Sequence, residues 1–162
     1  MEGVAVDPND PNHVLVVKTS YAASSHVYRT NNALANTPTF VSLQNNDSQM
    51  PFMPFYDATI DFNDANRYLV ATELGVWGSD DGGTTWSEQN TNLGRVPTYG
   101  VRQFRYCDDD PSCRAIYIGT HSRGMWRTTT LNGGSCAASC KLPTDIPSVA
   151  QDVTDLTIHP NP

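Results

Sequence analysis

Ser79-Asp80-Asp81-Gly82-Gly83-Thr84-Thr85-Trp86 is the stretch whose reading decides the fold. Ser79 and Asp81 carry side-chain oxygens that accept backbone N–H bonds across a tight turn. Gly82 and Gly83 supply positive φ where other residues are strained. Thr85 and Trp86 then resume a strand, and the spacing lets Trp86 fold back and bury its ring between neighbouring sheets. Ser79, Asp81, Gly83, Thr85 and Trp86 therefore read as a structural clip between the third and fourth strands of one sheet. Calcium binding at Asp80 and Asp81 is the competing reading.

Outward from this turn the chain repeats itself. Val4-Ala5-Val6-Asp7-Pro8-Asn9-Asp10-Pro11-Asn12-His13-Val14-Leu15-Val16 aligns without a gap on Ala58-Thr59-Ile60-Asp61-Phe62-Asn63-Asp64-Ala65-Asn66-Arg67-Tyr68-Leu69-Val70. In both copies a strand ends in Asp, an Asx-rich turn reverses the chain, and a β-branched run returns. A third copy starts at Val101-Arg102-Gln103-Phe104 and returns through Ala115-Ile116-Tyr117-Ile118. The third strands align as Val27-Tyr28-Arg29, Val76-Trp77-Gly78 and Met125-Trp126-Arg127. Repeats of roughly 45–55 residues with four short strands each imply blades of a β-propeller. The expected fold is all-β, with about three four-stranded blades near 4–43, 58–90 and 101–131. Propellers close with about 4–8 blades. The expectation is therefore the C-terminal part of a six- to eight-bladed ring, completed by upstream blades or by partner chains. Only the second copy has the full turn, and no fourth strand follows the third copy.

The whole chain agrees with an all-β reading. Its 162 residues contain 11 Pro and 11 Gly that punctuate short apolar runs, with no long stripe of helical period. A formal net charge of -7 repels phosphate backbones, so nucleic acid is not an expected partner. No segment reaches the ~20 apolar residues of a membrane-spanning helix, and the first residues lack a secretory leader. The four cysteines fall as local pairs, Cys107/Cys113 and Cys136/Cys140, without His or a third Cys at ligand spacing. They suit disulfides in an oxidising compartment, Cys107–Cys113 and Cys136–Cys140, with the crossed pairings left open. No metal site or cofactor is expected.

The Val4–Asn12 opening, the Ser-x-Asp-x-Gly-x-Thr-Trp turn and Gly119-Thr120-His121-Ser122-Arg123-Gly124-Met125-Trp126-Arg127 resemble the BNR/Asp-box propellers. Sortilin-type and xyloglucanase-type repeats of secreted bacterial proteins are the nearest in pattern. The resemblance covers residues 4 to about 131 and implies a fold more than an activity, since such repeats occur in hydrolases, lectin-like modules and scaffolds. Residues 1–131 are thus read as a partial propeller and 132–154 as a linker with a short disulfide loop. Residues 155–162, Asp155-Leu156-Thr157-Ile158-His159-Pro160-Asn161-Pro162, are similar to the first strand of a type A C-terminal sorting domain of Bacteroidota. That likeness implies export through type IX secretion machinery to the medium or the outer cell surface.

Chemistry is expected on the face opposite the Asp-box turn. Glu73 and His121 occupy matching places after the second strands of successive blades. Glu73 with Asp57 can form the acid and base pair of a glycosidase, and in the plainer reading Glu73 is a solvated loop residue and Asp57 caps a turn. His121 and Arg123 can bind a sugar or a carboxylate, or Arg123 can pair locally. Phe52, Phe55, Tyr56 and Tyr99 can form a sugar-stacking platform, while Met50-Pro51-Phe52-Met53-Pro54-Phe55 also reads as packing between blades. The functional expectation is a secreted or surface module that binds glycans or proteins. A glycoside hydrolase with its site mainly in other blades, and a subunit of a surface filament, are the alternatives.

Overall fold

A computed structural model describes residues 2–22, 24–44, 50–104 and 114–128. Cys107, Cys113, Cys136 and Cys140, the 132–154 linker and the 155–162 segment lie outside the described residues. The described chain holds strands and turns and no helix.

Two four-stranded antiparallel sheets and one three-stranded sheet follow one another along the sequence. The first runs β1 (Glu2–Val6), β2 (Val14–Lys18), β3 (Val27–Thr30) and β4 (Val41–Ser42), each beside its predecessor. The second repeats that order as β5 (Phe55–Ile60), β6 (Tyr68–Thr72), β7 (Gly75–Ser79) and β8 (Ser87–Glu88). The third comprises β9 (Thr98–Gln103), β10 (Ile116–Thr120) and β11 (Met125–Thr128) among the described residues. The innermost strands begin at Glu2, Phe55 and Thr98, ahead of the Val4, Ala58 and Val101 at which the repeats align.

The repeated Asx residues build one turn twice. Asp7 accepts the Asn9 N–H at 2.8 Å and Asp10 that of Asn12 at 2.9 Å, while Asp61 and Asp64 do the same for Asn63 and Asn66 at 3.1 and 2.9 Å. The backbone closes identically, Asp7 N to His13 O and Asp61 N to Arg67 O, both 2.9 Å. Side-chain oxygens thus substitute for ladder partners that a reversing chain cannot have.

Alternation along the strands sorts side chains into two cores. Tyr68 and Val70 of β6 face the first sheet and join Leu15, Val17 and Val27, whereas Leu69 and Ala71 face the third sheet and join Val101 and Ile116. Every residue of β6 and β7 is buried for this reason, because the second sheet is covered on both faces. The first sheet is covered on one: Ala5 lies in the core, while Val4 and Val6 are 55% and 42% exposed. The inner strands converge, so that a Cβ on Gly3 would lie 2.9 Å from the Asp57 Cα.

Candidate functional site

Two rims flank these sheets, and the antiparallel order assigns each turn to one of them. The β5–β6 and β7–β8 turns share the first rim, where Gly82 N–H bonds Asn66 O at 2.8 Å and Arg67 Nε bonds Asp80 at 2.6 Å. Here Ser79 Oγ donates to Asp81 Oδ1 at 2.8 Å and accepts the Gly83 N–H at 2.9 Å. Asp81 also accepts the N–H groups of Thr84 and Thr85 at 3.0 and 2.9 Å and the Thr85 hydroxyl at 2.7 Å. The Thr85 backbone bond, followed by its hydroxyl and by Ser79 and Thr84, holds the Asp81 carboxyl down at about 2. Gly82 and Gly83 have φ of 69° and 87°. Trp86 is buried, and its indole N–H reaches Leu43 O at 3.3 Å and Gly83 O at 3.2 Å, so the turn latches onto the preceding sheet. Arg29 Nη1 donates to Gly82 O at 2.9 Å across the same junction. Every carboxylate of this turn is thus occupied by protein: Asp80 by Arg67, Asp81 by the turn itself.

The opposite rim gathers the starts of β5 and β9 with the β6–β7 and β10–β11 turns. Glu73 N–H bonds Pro54 O at 3.1 Å, and His121 N–H bonds Pro97 O at 2.8 Å, so the two hairpin turns dock on equivalent prolines. Two residues beyond each proline stands a tyrosine, Tyr56 or Tyr99. Each is the extra residue of a β-bulge: Phe55 pairs Thr72 and Asp57 pairs Ala71, while Thr98 pairs Thr120 and Gly100 pairs Gly119. A bulge leaves one residue unpaired and re-aims its side chain. Both rings consequently turn to the same surface, where they meet edge to face with centroids 4.8 Å apart. His121 stands edge-on to Tyr99 at 6.0 Å. The Tyr56 hydroxyl donates to Glu73 Oε2. Burial first, and then the bond to Glu73, push the Tyr56 phenol above its usual range, so it stays a donor at any physiological pH. Tyr99 is 52% and Tyr21, on the β2–β3 connection, 78% exposed.

The remaining expected residues have other surroundings. Asp57 lies within β5, buried, and its carboxylate accepts the Val101 N–H at 3.0 Å and an Arg102 Nη1 donor, tying β5 to β9. The structure therefore gives Asp57 and Glu73 separate partners. Arg123 Nη1 donates to Leu93 O at 3.1 Å, and its carbonyl accepts the Trp126 indole N–H at 3.1 Å, in a turn with Ser122 and Gly124 at φ of 75° and 69°. Phe55 is fully buried and stacks on His26 at 5.8 Å, Phe52 tilts against the same imidazole at 6.2 Å, and Met50 and Met53 are buried beside them. This segment packs between sheets, and Phe55 is not part of an exposed platform: the bulge sends Tyr56 outward and leaves Phe55 in the inward phase. Tyr21 and the matching bulges were not singled out in the sequence, although Pro54-Phe55-Tyr56 and Pro97-Thr98-Tyr99 share a Pro-x-Tyr signal. Among the described residues no group of three or more His, Cys, Asp and Glu side chains is placed to hold a metal ion.

No protein-family model matches this chain, and no curated protein does. Its fold is similar to that of a solved GH74 enzyme from Niastella koreensis, with 20% identity and a TM-score of 0.54 over 78% of this chain and 21% of that one. A GH74 xyloglucanase from Xanthomonas campestris aligns over the same shares at 18% identity and a TM-score of 0.47. The first likeness shows the fold: the successive sheets are blades of a β-propeller. The chain spans about a fifth of the length of these structures.

Proposed function

We propose that this chain is part of a secreted or cell-surface β-propeller that binds a glycan on the rim formed by Tyr56, Tyr99, His121 and Glu73. The observation that carries the reading is the pair of bulges that turns Tyr56 and Tyr99 onto one surface in successive blades. Aromatic faces take the C–H face of a sugar ring, and the Glu73 carboxylate beside them accepts sugar hydroxyls. The net charge of -7 favours neutral over anionic glycans. Residues 155–162 support export through type IX secretion machinery, with the linker at 132–154 and disulfides Cys107–Cys113 and Cys136–Cys140 suited to an oxidising compartment.

Titration of the chain with neutral β-glucan oligosaccharides, followed by calorimetry, tests the site. Tyr99→Ala and Glu73→Gln are expected to weaken binding about tenfold or more, the scale of one lost stacking or hydrogen-bonding contact. Asp80→Asn, in the turn on the opposite rim, is expected to leave binding within about twofold, a difference of ~0.4 kcal/mol. Unchanged affinity in both rim variants would sink the proposal. Release of reducing ends that is lost in Glu73→Gln and Asp57→Asn while binding survives would assign hydrolysis instead.

A further inference from the structure

Glu73 and His121, the two polar side chains of the tyrosine rim, stand on hairpin turns of different blades, and one stretch of chain supports both. Each turn is closed from inside by a threonine. The Thr72 hydroxyl donates to Gly75 O at 2.9 Å and accepts the Leu74 N–H at 3.1 Å, and the Thr120 hydroxyl donates to Gly124 O at 2.7 Å. From outside, the Glu73 turn is held by Asn90, just past β8. The Asn90 amide donates to Leu74 O and accepts the Val76 N–H, both at 2.8 Å. It fills the space beside Gly75, at φ 97°, where a Cβ would collide with it. Its second N–H goes to Glu88 at 2.8 Å, and Glu88 is in turn paired with Arg95. The Asn90 carbonyl accepts the N–H groups of Leu93 and Gly94, both at 3.0 Å, which closes a turn in the connection to β9. That turn presents Leu93 O to Arg123 Nη1 at 3.1 Å and sets Gly94 beside the guanidinium, so it grips the His121 turn as well.

We propose that residues 90–94 are a brace that fixes Glu73 and His121 for a bound glycan, with Asn90 and Arg123 as positioning residues that touch no sugar. This deepens the glycan reading and rests on it. A hydrogen bond weakens steeply once its angle is lost, so a carboxylate on a two-residue turn binds well only if the turn is held. Holding it before the sugar arrives also spares the ordering cost on binding. Asn90 suits the task because one planar amide supplies an acceptor for Val76 and donors for Leu74 and Glu88. Asn90→Asp keeps the acceptor, loses both donors and adds a like charge beside Glu88.

The test is a pair of double-mutant cycles in the full 162-residue chain, read by calorimetry with cellohexaose, a neutral β-glucan oligosaccharide. Asn90→Asp is expected to weaken binding about fivefold alone, yet to change it by less than about 1.5-fold in a chain that already carries Glu73→Gln. Arg123→Gln is expected to behave in the same way against His121→Ala. Arg123 is exposed, so its cycle decides the matter if Asn90→Asp does not fold. In Asn90→Asp without sugar, the carbon-13 resonance of Tyr56 Cζ is expected to move, because the phenol donates to Glu73. Full affinity in Asn90→Asp and Arg123→Gln, or the same loss with and without the rim substitution, would overturn the brace while leaving the glycan rim in place. Unchanged affinity in Glu73→Gln and His121→Ala themselves would sink the glycan reading, and the role of the brace in binding with it.

Discussion

The Asp81 carboxylate accepts two backbone N–H groups and two hydroxyls. These bonds lower its pKa to about 2, against ~3.9 for a free aspartate. A folded-state pKa below the unfolded one gives stability that is present above pH ~4 and lost as pH falls through about 2. Urea midpoints measured from pH 5 to 2 should therefore fall across that window, and Asp81→Asn should lack that part of the slope while losing on the order of 1 kcal/mol at neutral pH. Gly83 and Gly124 separate two costs of a side chain at positive φ. At Gly83, φ is 87° and a Cβ would sit 2.6 Å from Leu43 Cδ1, whereas at Gly124 nothing lies within 4 Å. Gly83→Ala should cost about 2–4 kcal/mol by thermal or urea denaturation and Gly124→Ala about 1–2, the strain of a left-handed backbone alone. The residue types of this turn were readable from the sequence because its acceptors and donors are local. The Leu43 carbonyl that holds Trp86 was not, because it lies 43 positions away.

Strands and their joints are the level at which the expected site changed. Asp57 read as a candidate catalytic carboxylate beside an inner strand, but β5 begins at Phe55 and Asp57 serves the seam to β9 through Val101 and Arg102. Its removal strands the buried Val101 N–H, so Asp57→Ala should lower stability by about 1–3 kcal/mol in urea denaturation. Asp57→Asn, which keeps an acceptor, should lose less. The bulges at Tyr56 and Tyr99 have the opposite origin and effect. Residue alternation predicts which face a side chain takes only while the ladder is regular, and one unpaired residue reverses that phase. The Pro-x-Tyr repeat hinted at equivalent positions, yet the hydrogen-bond register alone reveals that both tyrosines leave the ladder.

At the scale of the molecule, the stack of sheets ends in an uncovered face. Val4 and Val6 of β1 are 55% and 42% exposed on the same face of the first sheet, while the second sheet is covered on both sides. Apolar side chains exposed together on one sheet face favour association. Sedimentation velocity of the isolated chain should show concentration-dependent self-association, and Val4→Lys combined with Val6→Lys should shift it toward monomer. The sequence by itself determined the all-β class, the strand–Asx turn–strand repeat and the Ser79–Trp86 turn, because each rests on short-range spacing and residue chemistry. Tertiary structure decided which residues meet: Trp86 with Leu43, Asp57 with Arg102, Glu73 with Tyr56, and Tyr99 with His121. Those partners come from different strands or turns, and in two of these four pairs from different blades. Their meeting depends on sheet stacking and on single-residue bulges, quantities that local periodicity does not encode.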